Sequence, residues 1–181
     1  MKNKLFFQID PALLELQIKT NVHPYVYMTK YALLHFLNFK DTTDHKFAMT
    51  YTSSMAAFVR IPNFAEYGGT KNHNYMLGKL LNQTMKKNQA TKDLVDIQTL
   101  HPAGVSTNLN KFTKLGGEIV SAESCARGSL SDLGNNTMHV FGALTHAALG
   151  NLLIPLAAWS PDFNKIKGFE MSKDANSVIQ D

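Results

Sequence analysis

One cysteine, Cys125, among 181 residues has no partner inside the chain. That excludes a disulfide framework and suits a reducing, intracellular compartment. A long apolar run is lacking as well. The most apolar window, 139–159, is interrupted by two His, three Gly or Pro residues and Asn151, so it reads as a buried helix with a following loop and not as a membrane span. The opening "MKNKLFFQIDPALLE" has no apolar stretch of signal-peptide length and carries acids early. Basic clusters are scarce: of 18 Lys and Arg only Lys86 and Lys87 are adjacent, and a formal charge of +4 spread this way is no nucleic-acid footprint. Neither repeats nor low-complexity segments occur. What is present is 44% hydrophobic residues, enough for one core. One domain over 1–160 is expected, followed by a polar, weakly patterned tail over 161–181.

Helix signals open the chain. Asp10 can cap and Pro11 can fill the first helical position, where its missing N–H costs nothing. Apolar residues then recur from Leu13 to Leu37, which predicts a helix over 12–38, bent near Pro24. Phe47–Thr52 reads as a short strand ending in Ser53 and Ser54. A second helix is expected over 65–87, and Leu94, Val95, Ile97 and Leu100 mark the clearest strand, stopped by Pro102. The stretch 103–120 reads as loop with a short helix. "SAESCARGSLSDLG" reads as a helix capped by Ser121 and ended before Gly134, and 140–144 as a last strand. This alternating order implies an α/β fold with a parallel sheet covered by helices.

The chemistry is concentrated in "YTSSMAAFVRIPNFAEYGGTK". Tyr67 and Lys71 are four apart and share one helix face. A phenol near pKa 10 is a poor acid–base group at neutral pH, and a nearby cation draws such a pKa down by about 1–3 units. Ser54, at the carboxyl end of a strand, stands where open α/β sheets bind ligands. Its hydroxyl can hold a carbonyl oxygen while Tyr67 supplies a proton to it. Taken alone, a Tyr-x-x-x-Lys pair is common by chance and usually marks a solvated helix face. Asn72, His73 and Asn74 form an unusually polar turn after the pair, facing either a partner or solvent.

These residues resemble the active-site segment of the short-chain dehydrogenases/reductases, which pair a Ser with a later Tyr-x-x-x-Lys. "NVHPYVYMTKYALLHFL" resembles the helix that carries that family's active-site Asn, and "LHPAGVSTNL" the segment that lines its nicotinamide pocket. "FFQIDPALLELQIKTNV", "SAESCARGSLSDLG" and "GALTHAALGNLLIPLAAW" resemble the very-long-chain 3-oxoacyl-CoA reductase and hydroxysteroid dehydrogenase group. The resemblance implies a doubly wound, Rossmann-like sheet and NAD(P), with NADP preferred. It implies Tyr67 as general acid, Lys71 as its pKa partner and ribose ligand, and Ser54 as carbonyl holder. Asn21 would hold a water in a proton relay, and Pro102, Val105 and Thr107 would face the nicotinamide.

Several features depart from the family pattern. The Gly pairs, Gly68-Gly69 and Gly116-Gly117, do not open a helix after a strand, so the dinucleotide fingerprint is missing. Ala103 stands where the family usually has Gly, and two glycines inside the active-site helix cost about 1 kcal/mol each relative to Ala. The expectation is therefore a carboxyl half, strands five to seven of the order 3-2-1-4-5-6-7, with an obligatory partner chain covering the edge of Phe47–Thr52. That partner is either the missing amino-terminal half or a subunit of a larger assembly. In the first case the pair is a carbonyl reductase for a 3-oxoacyl-CoA or steroid-like ketone. In the second the chain is a non-catalytic structural subunit. The implied setting is the endoplasmic reticulum membrane or the mitochondrion, both left open.

Overall fold

The computed structural model describes residues 5–42, 46–59, 61, 64–89, 91–108, 114–135 and 137–159. Helix α1 (Pro11–Asn21) begins where the Asp10 carboxylate accepts from Ala12 N at 2.9 Å. Val22 closes it, its N–H on Ile18 O, and at once opens α2 (His23–Phe39). The single bent helix expected here is two helices, because Pro24 has no N–H with which to continue the ladder of α1. Next come β1 (Phe47–Thr52), a 3-10 turn over Met55–Ala57, α3 (Ala65–Lys87) and β2 (Val95–Leu100). The chain continues through β3 (Gly104–Ser106), β4 (Ile119–Ser121), α4 (Ala122–Ser131), β5 (His139–Val140) and α5 (Leu144–Trp159).

The main sheet has the order β1-β2-β5, all parallel, in a register running from Phe47↔Val95 to Thr52↔Leu100 and then Thr99↔His139. One face carries the core. Tyr51, Val95 and Ile97 are buried there against Tyr25, Leu33 and Phe36 of α2 and Leu77, Leu81 and Met85 of α3. Gly78 lets α3 come this close: a Cβ at that position would lie 2.7 Å from the Thr99 methyl and 3.0 Å from the Tyr51 ring. On the opposite face α4 covers β2, where the buried Gln98 amide donates to Ser129 O, Ser129 Oγ and Thr50 Oγ1, each at 3.0 Å. That cover stops short of β1, whose Ala48 and Thr50 are exposed.

The stretch expected as loop with a short helix also contains a second, two-stranded parallel sheet, β3 with β4, pairing Gly104↔Ile119 to Ser106↔Ser121, and its residues 109–113 lie outside the described residues. Three-residue strands are too short to show a period of two. The last strand is His139–Val140 and not 140–144, because Gly142 turns the chain at φ +72° and Leu144 already begins α5. The window expected as buried helix plus loop is a helix through Pro155 to Trp159 that leaves Leu144 and Leu152 exposed. Among the described residues no helix is long and apolar enough to cross a membrane. The Ser121 cap holds as expected, its hydroxyl accepting from Ser124 N at 3.1 Å. Asn72, His73 and Asn74 lie inside α3, not in a turn. Asn72 donates to Ala57 O and Asn74 is fully buried, so these two amides satisfy neighbouring backbone. The expected tail, 161–181, lies outside the described residues.

Candidate functional site

The end of β1 and the start of α3 build the site. Ser53, buried, ties the two together: its N–H bonds Leu100 O at 2.8 Å and its hydroxyl donates to Lys71 O at 2.7 Å. Ser54 caps the 3-10 turn by accepting from Ala56 N at 3.2 Å, and its hydroxyl reaches Pro102 O at 3.5 Å. Pro102 O also accepts from Met55 N at 3.1 Å, which fixes the chain after β2 beside Ser54. At Gly68 the helix rests directly on this turn; a Cβ there would meet Ala56 O at 2.9 Å. The close approach brings the Tyr67 phenol into a hydrogen bond with the Ser54 hydroxyl. Gly69 has open space around it, and nothing in the structure calls for glycine there.

Ser54 and Tyr67 share a cavity of about 190 Å³ walled mainly by Met55, Ile61, Phe64, Ala103 and Leu149. Its far side is formed at Gly104 and Glu118. His146, fully buried, holds that side together, its Nε2 lying 2.8 Å from Glu118 O and 3.2 Å from Gly104 O. The site thus offers two adjacent hydroxyls in an apolar, partly desolvated recess. This suits an uncharged polar atom, such as a carbonyl oxygen, on an otherwise apolar molecule.

Burial raises the Tyr67 pKa above the ordinary phenol value; the Ser54 hydrogen bond only partly offsets this, and the neighbouring Tyr25 adds to the rise. Burial also lowers the Lys71 pKa. The expected downward pull of Lys71 on the phenol is not what this arrangement produces. The ammonium lies 5.7 Å from the Tyr67 ring centroid and donates to Thr52 O at 3.3 Å, so desolvation outweighs it. Tyr67 therefore keeps its proton at neutral pH, the state a general acid must hold.

The remaining candidates are dispersed around this pair. The Asn21 amide donates to Thr70 Oγ1 at 3.1 Å, and Thr70 in turn bonds Tyr67 O at 2.8 Å. Asn21 thus braces the backbone of α3 and is not joined to the hydroxyl pair. Val105 lies in β3 opposite Val120, and Thr107 follows that strand half-buried. Tyr25, which the sequence reading passed over, is the addition: its hydroxyl donates to Thr52 O at 3.1 Å, beside Lys71. As one of five Tyr and Phe residues on α2, it gives no sequence signal beyond core packing. A second Tyr-x-x-x-Lys pair was also passed over. Lys79 Nζ donates to Tyr75 Oη at 3.0 Å, and the Tyr75 ring packs on His101 and His139. His101 is 1% exposed, and burial, assisted by repulsion from His139, pushes its pKa down to about 3. Among the described residues no cluster of three His, Cys, Asp or Glu could hold a metal ion.

No protein-family model and no curated protein matches the sequence. The fold does have solved counterparts. The chain is similar to a bulky-bulky ketone specific alcohol dehydrogenase from Comamonas testosteroni, with TM-score 0.63 and 15% identity over 96% of this chain and 63% of that one. It is similar to a 3-ketoacyl-(acyl-carrier-protein) reductase from Brucella melitensis, complexed with NADH, with TM-score 0.63 and 18% identity over 78% and 59%. A short-chain dehydrogenase from Sphingobium yanoikuyae, in complex with NADPH, gives TM-score 0.63 and 17% identity over 93% and 63%. The chain thus spans about three-fifths of the length of these structures. The likeness shows the short-chain dehydrogenase/reductase fold, Rossmann-like, of which this chain covers part.

Proposed function

We propose that this chain is the active-site half of an NAD(P)-dependent carbonyl reductase, completed by a separate partner chain, and that its substrate is an apolar ketone of the 3-oxoacyl-CoA or steroid class. The observation that carries the reading is the Ser54–Tyr67 hydroxyl pair on the wall of the 190 Å³ apolar cavity, with Lys71 one helical turn on. Ser54 would donate to the substrate carbonyl oxygen and orient it. Tyr67, kept protonated by burial, would pass its phenol proton to that oxygen as charge develops there. Lys71 would then stabilise the phenolate left behind.

Tyr67, Lys71, Pro102, Val105 and Thr107, the residues the family resemblance assigns to the cofactor, would hold the ribose and carboxamide end of a nicotinamide dinucleotide. Among the described residues no glycine-rich turn serves the pyrophosphate end: Gly68 and Gly69 lie within α3, and Gly116 and Gly117 turn the chain into β4. When bound, the cofactor supplies the hydride. NADP is our preferred form.

The partner reading rests on β1. Phe47 N bonds Leu94 O and Ser53 N bonds Leu100 O, so the odd-numbered residues face β2 and the polar groups of Ala48 and Thr50 point to the open side. Ala48 and Thr50 are also uncovered on the α4 face. A parallel strand buried on one side only is a poor stopping point. A strand added beside β1 would pair the edge and extend the sheet.

The decisive experiment is Tyr67→Phe in the complex purified with whatever chain co-purifies. Carbonyl reduction should fall by about 10³-fold or more while assembly persists, since only the proton donor is removed. Full turnover by the variant ends the catalytic reading. One observation favours a second reading, a non-catalytic structural subunit: Asn21 and Lys71 are both engaged by backbone or by Thr70 and not by the hydroxyl pair. A complex that assembles yet reduces no ketone at any pH would select it.

A further inference from the structure

The carbonyl oxygen of Thr52 faces three donors at once. Tyr25 Oη lies at 3.1 Å, Lys71 Nζ at 3.3 Å and Asn74 Nδ2 at 3.5 Å. A peptide oxygen has two lone pairs, so three donors share them and each bond is weaker than it would be alone. Tyr25 holds the shortest. Its ring stacks on Tyr51, centroids 6.0 Å apart, and Tyr51 Oη is itself bonded to Thr29 Oγ1 at 2.7 Å. Asn74 is fully buried and fixed within α3. Two of the donors are therefore held by packing, and the third is the flexible end of a lysine. The backbone of Lys71 is secured separately, by Ser53 Oγ on Lys71 O, so its side chain can move without disturbing the helix.

We propose that Tyr25 is a positioning residue for Lys71: by occupying a lone pair of the Thr52 carbonyl, its phenol keeps the ammonium weakly tethered and free to turn toward Tyr67. The catalytic consequence rests on the acid–base reading of Tyr67 and Lys71, but the tether is a property of the folded chain alone. An ammonium held fully by Thr52 would be a poor partner for the phenolate that forms when Tyr67 gives up its proton. A loosely held one can follow that charge. The titratable groups around Lys71 are Tyr67 on its own helix, Tyr25 on α2, and His73, which touches Asn74 Oδ1 through its Nδ1 at 3.2 Å.

The test is the titration of Lys71 itself, followed by the carbon-13 NMR signal of its Cε in the full chain, with Lys71→Ala used for assignment. Tyr25→Phe keeps the stacked ring and removes the competing donor. The ammonium then takes the vacated lone pair, its charged form gains, and the midpoint moves up from its burial-lowered position. Asn74→Ala removes the third donor and shifts the midpoint the same way; it decides the matter if Tyr25→Phe fails to fold. An unchanged midpoint makes Tyr25 a packing residue, and a lower one makes it a support for the tether; either overturns the proposal. The readout needs no turnover, so a raised midpoint stands even if the reductase reading fails. In an active complex the same variant should also slow alcohol oxidation, which requires the phenolate, more than ketone reduction.

Discussion

Acid should destabilise this chain chiefly through His101. His101 sits at the end of β2 between Phe58, Tyr75 and Phe141, and its Nε2 lies 2.9 Å from Thr99 Oγ1. Thr99 gives its own proton to Met138 O at 2.9 Å, so Nε2 carries the imidazole proton and Nδ1 is left buried without a partner. Nothing there welcomes a second proton, and the folded-state pKa drops from 6.5 to about 3. Because the unfolded chain takes up that proton near pH 6.5 and the folded chain does not, stability is intact above pH 6.5 and is lost as the pH falls toward 3. At roughly 1.4 kcal/mol per unit, the loss is about 2 kcal/mol at pH 5 and about 3 kcal/mol at pH 4. His139, whose pKa is also lowered by burial and by Lys79, adds in the same direction. Urea unfolding followed by circular dichroism between pH 7 and pH 4 measures this. His101→Gln keeps a donor for Thr99 and removes the titration. Its unfolding midpoint at pH 7 should be lower than the parent's, but the fall between pH 7 and 5 should be at least halved. A parent midpoint that does not move between pH 7 and 5, or equal slopes in parent and variant, would refute the reasoning.

Three other outcomes are expected. Gly68→Ala pushes a methyl to within 2.9 Å of Ala56 O and should lose about 1–3 kcal/mol in urea unfolding, whereas Gly69→Ala, in open space, should gain up to about 1 kcal/mol; equal effects would remove the close-approach argument. In the chain alone, amide exchange at Ala48 and Thr50 should be fast and at Met49 and Tyr51 slow, and strong protection of all four in a monomer would eliminate the open edge. Calorimetric titration of the isolated chain with NADH or NADPH should show no micromolar binding, since no helix among the described residues opens on a glycine-rich phosphate turn.

The longer elements were legible because their signals span several periods. Phe47–Thr52 and Ala65–Lys87 stand where the apolar pattern and the flanking turn residues put them. Asp10-Pro11 started a helix because capping is local chemistry. The failures have equally physical sources. Pro24 marked a disturbance, but only the backbone shows that α1 ends and α2 begins there. β3 and β4 are stabilised by each other across a dozen intervening residues, which no local window contains. At the site, Ser54, Tyr67 and Lys71 were singled out by spacing together with the family resemblance, since the Tyr-x-x-x-Lys pair alone fits a solvated helix face. The state of Tyr67 was not readable, because burial depends on what packs around it. Tyr25 and His146 act through backbone carbonyls, Thr52 in one case and Gly104 and Glu118 in the other, and carbonyls carry no sequence.

If the proposed function holds, the contact at Gly68 bears on how readily the site could change its substrate. The gap between Ser54 and Tyr67 is set by helix backbone resting on the carbonyl of Ala56, with no side chain in between. Ile61, Phe64 and Leu149 wall the cavity but take no part in that contact. Substitutions among them would reshape the recess while the two hydroxyls stay at their fixed spacing. Evolution, or a protein engineer, can therefore treat the hydroxyl pair as a hard point and the walls as replaceable lining. Libraries confined to 61, 64 and 149 should redistribute preference among ketones far more often than they abolish proton transfer.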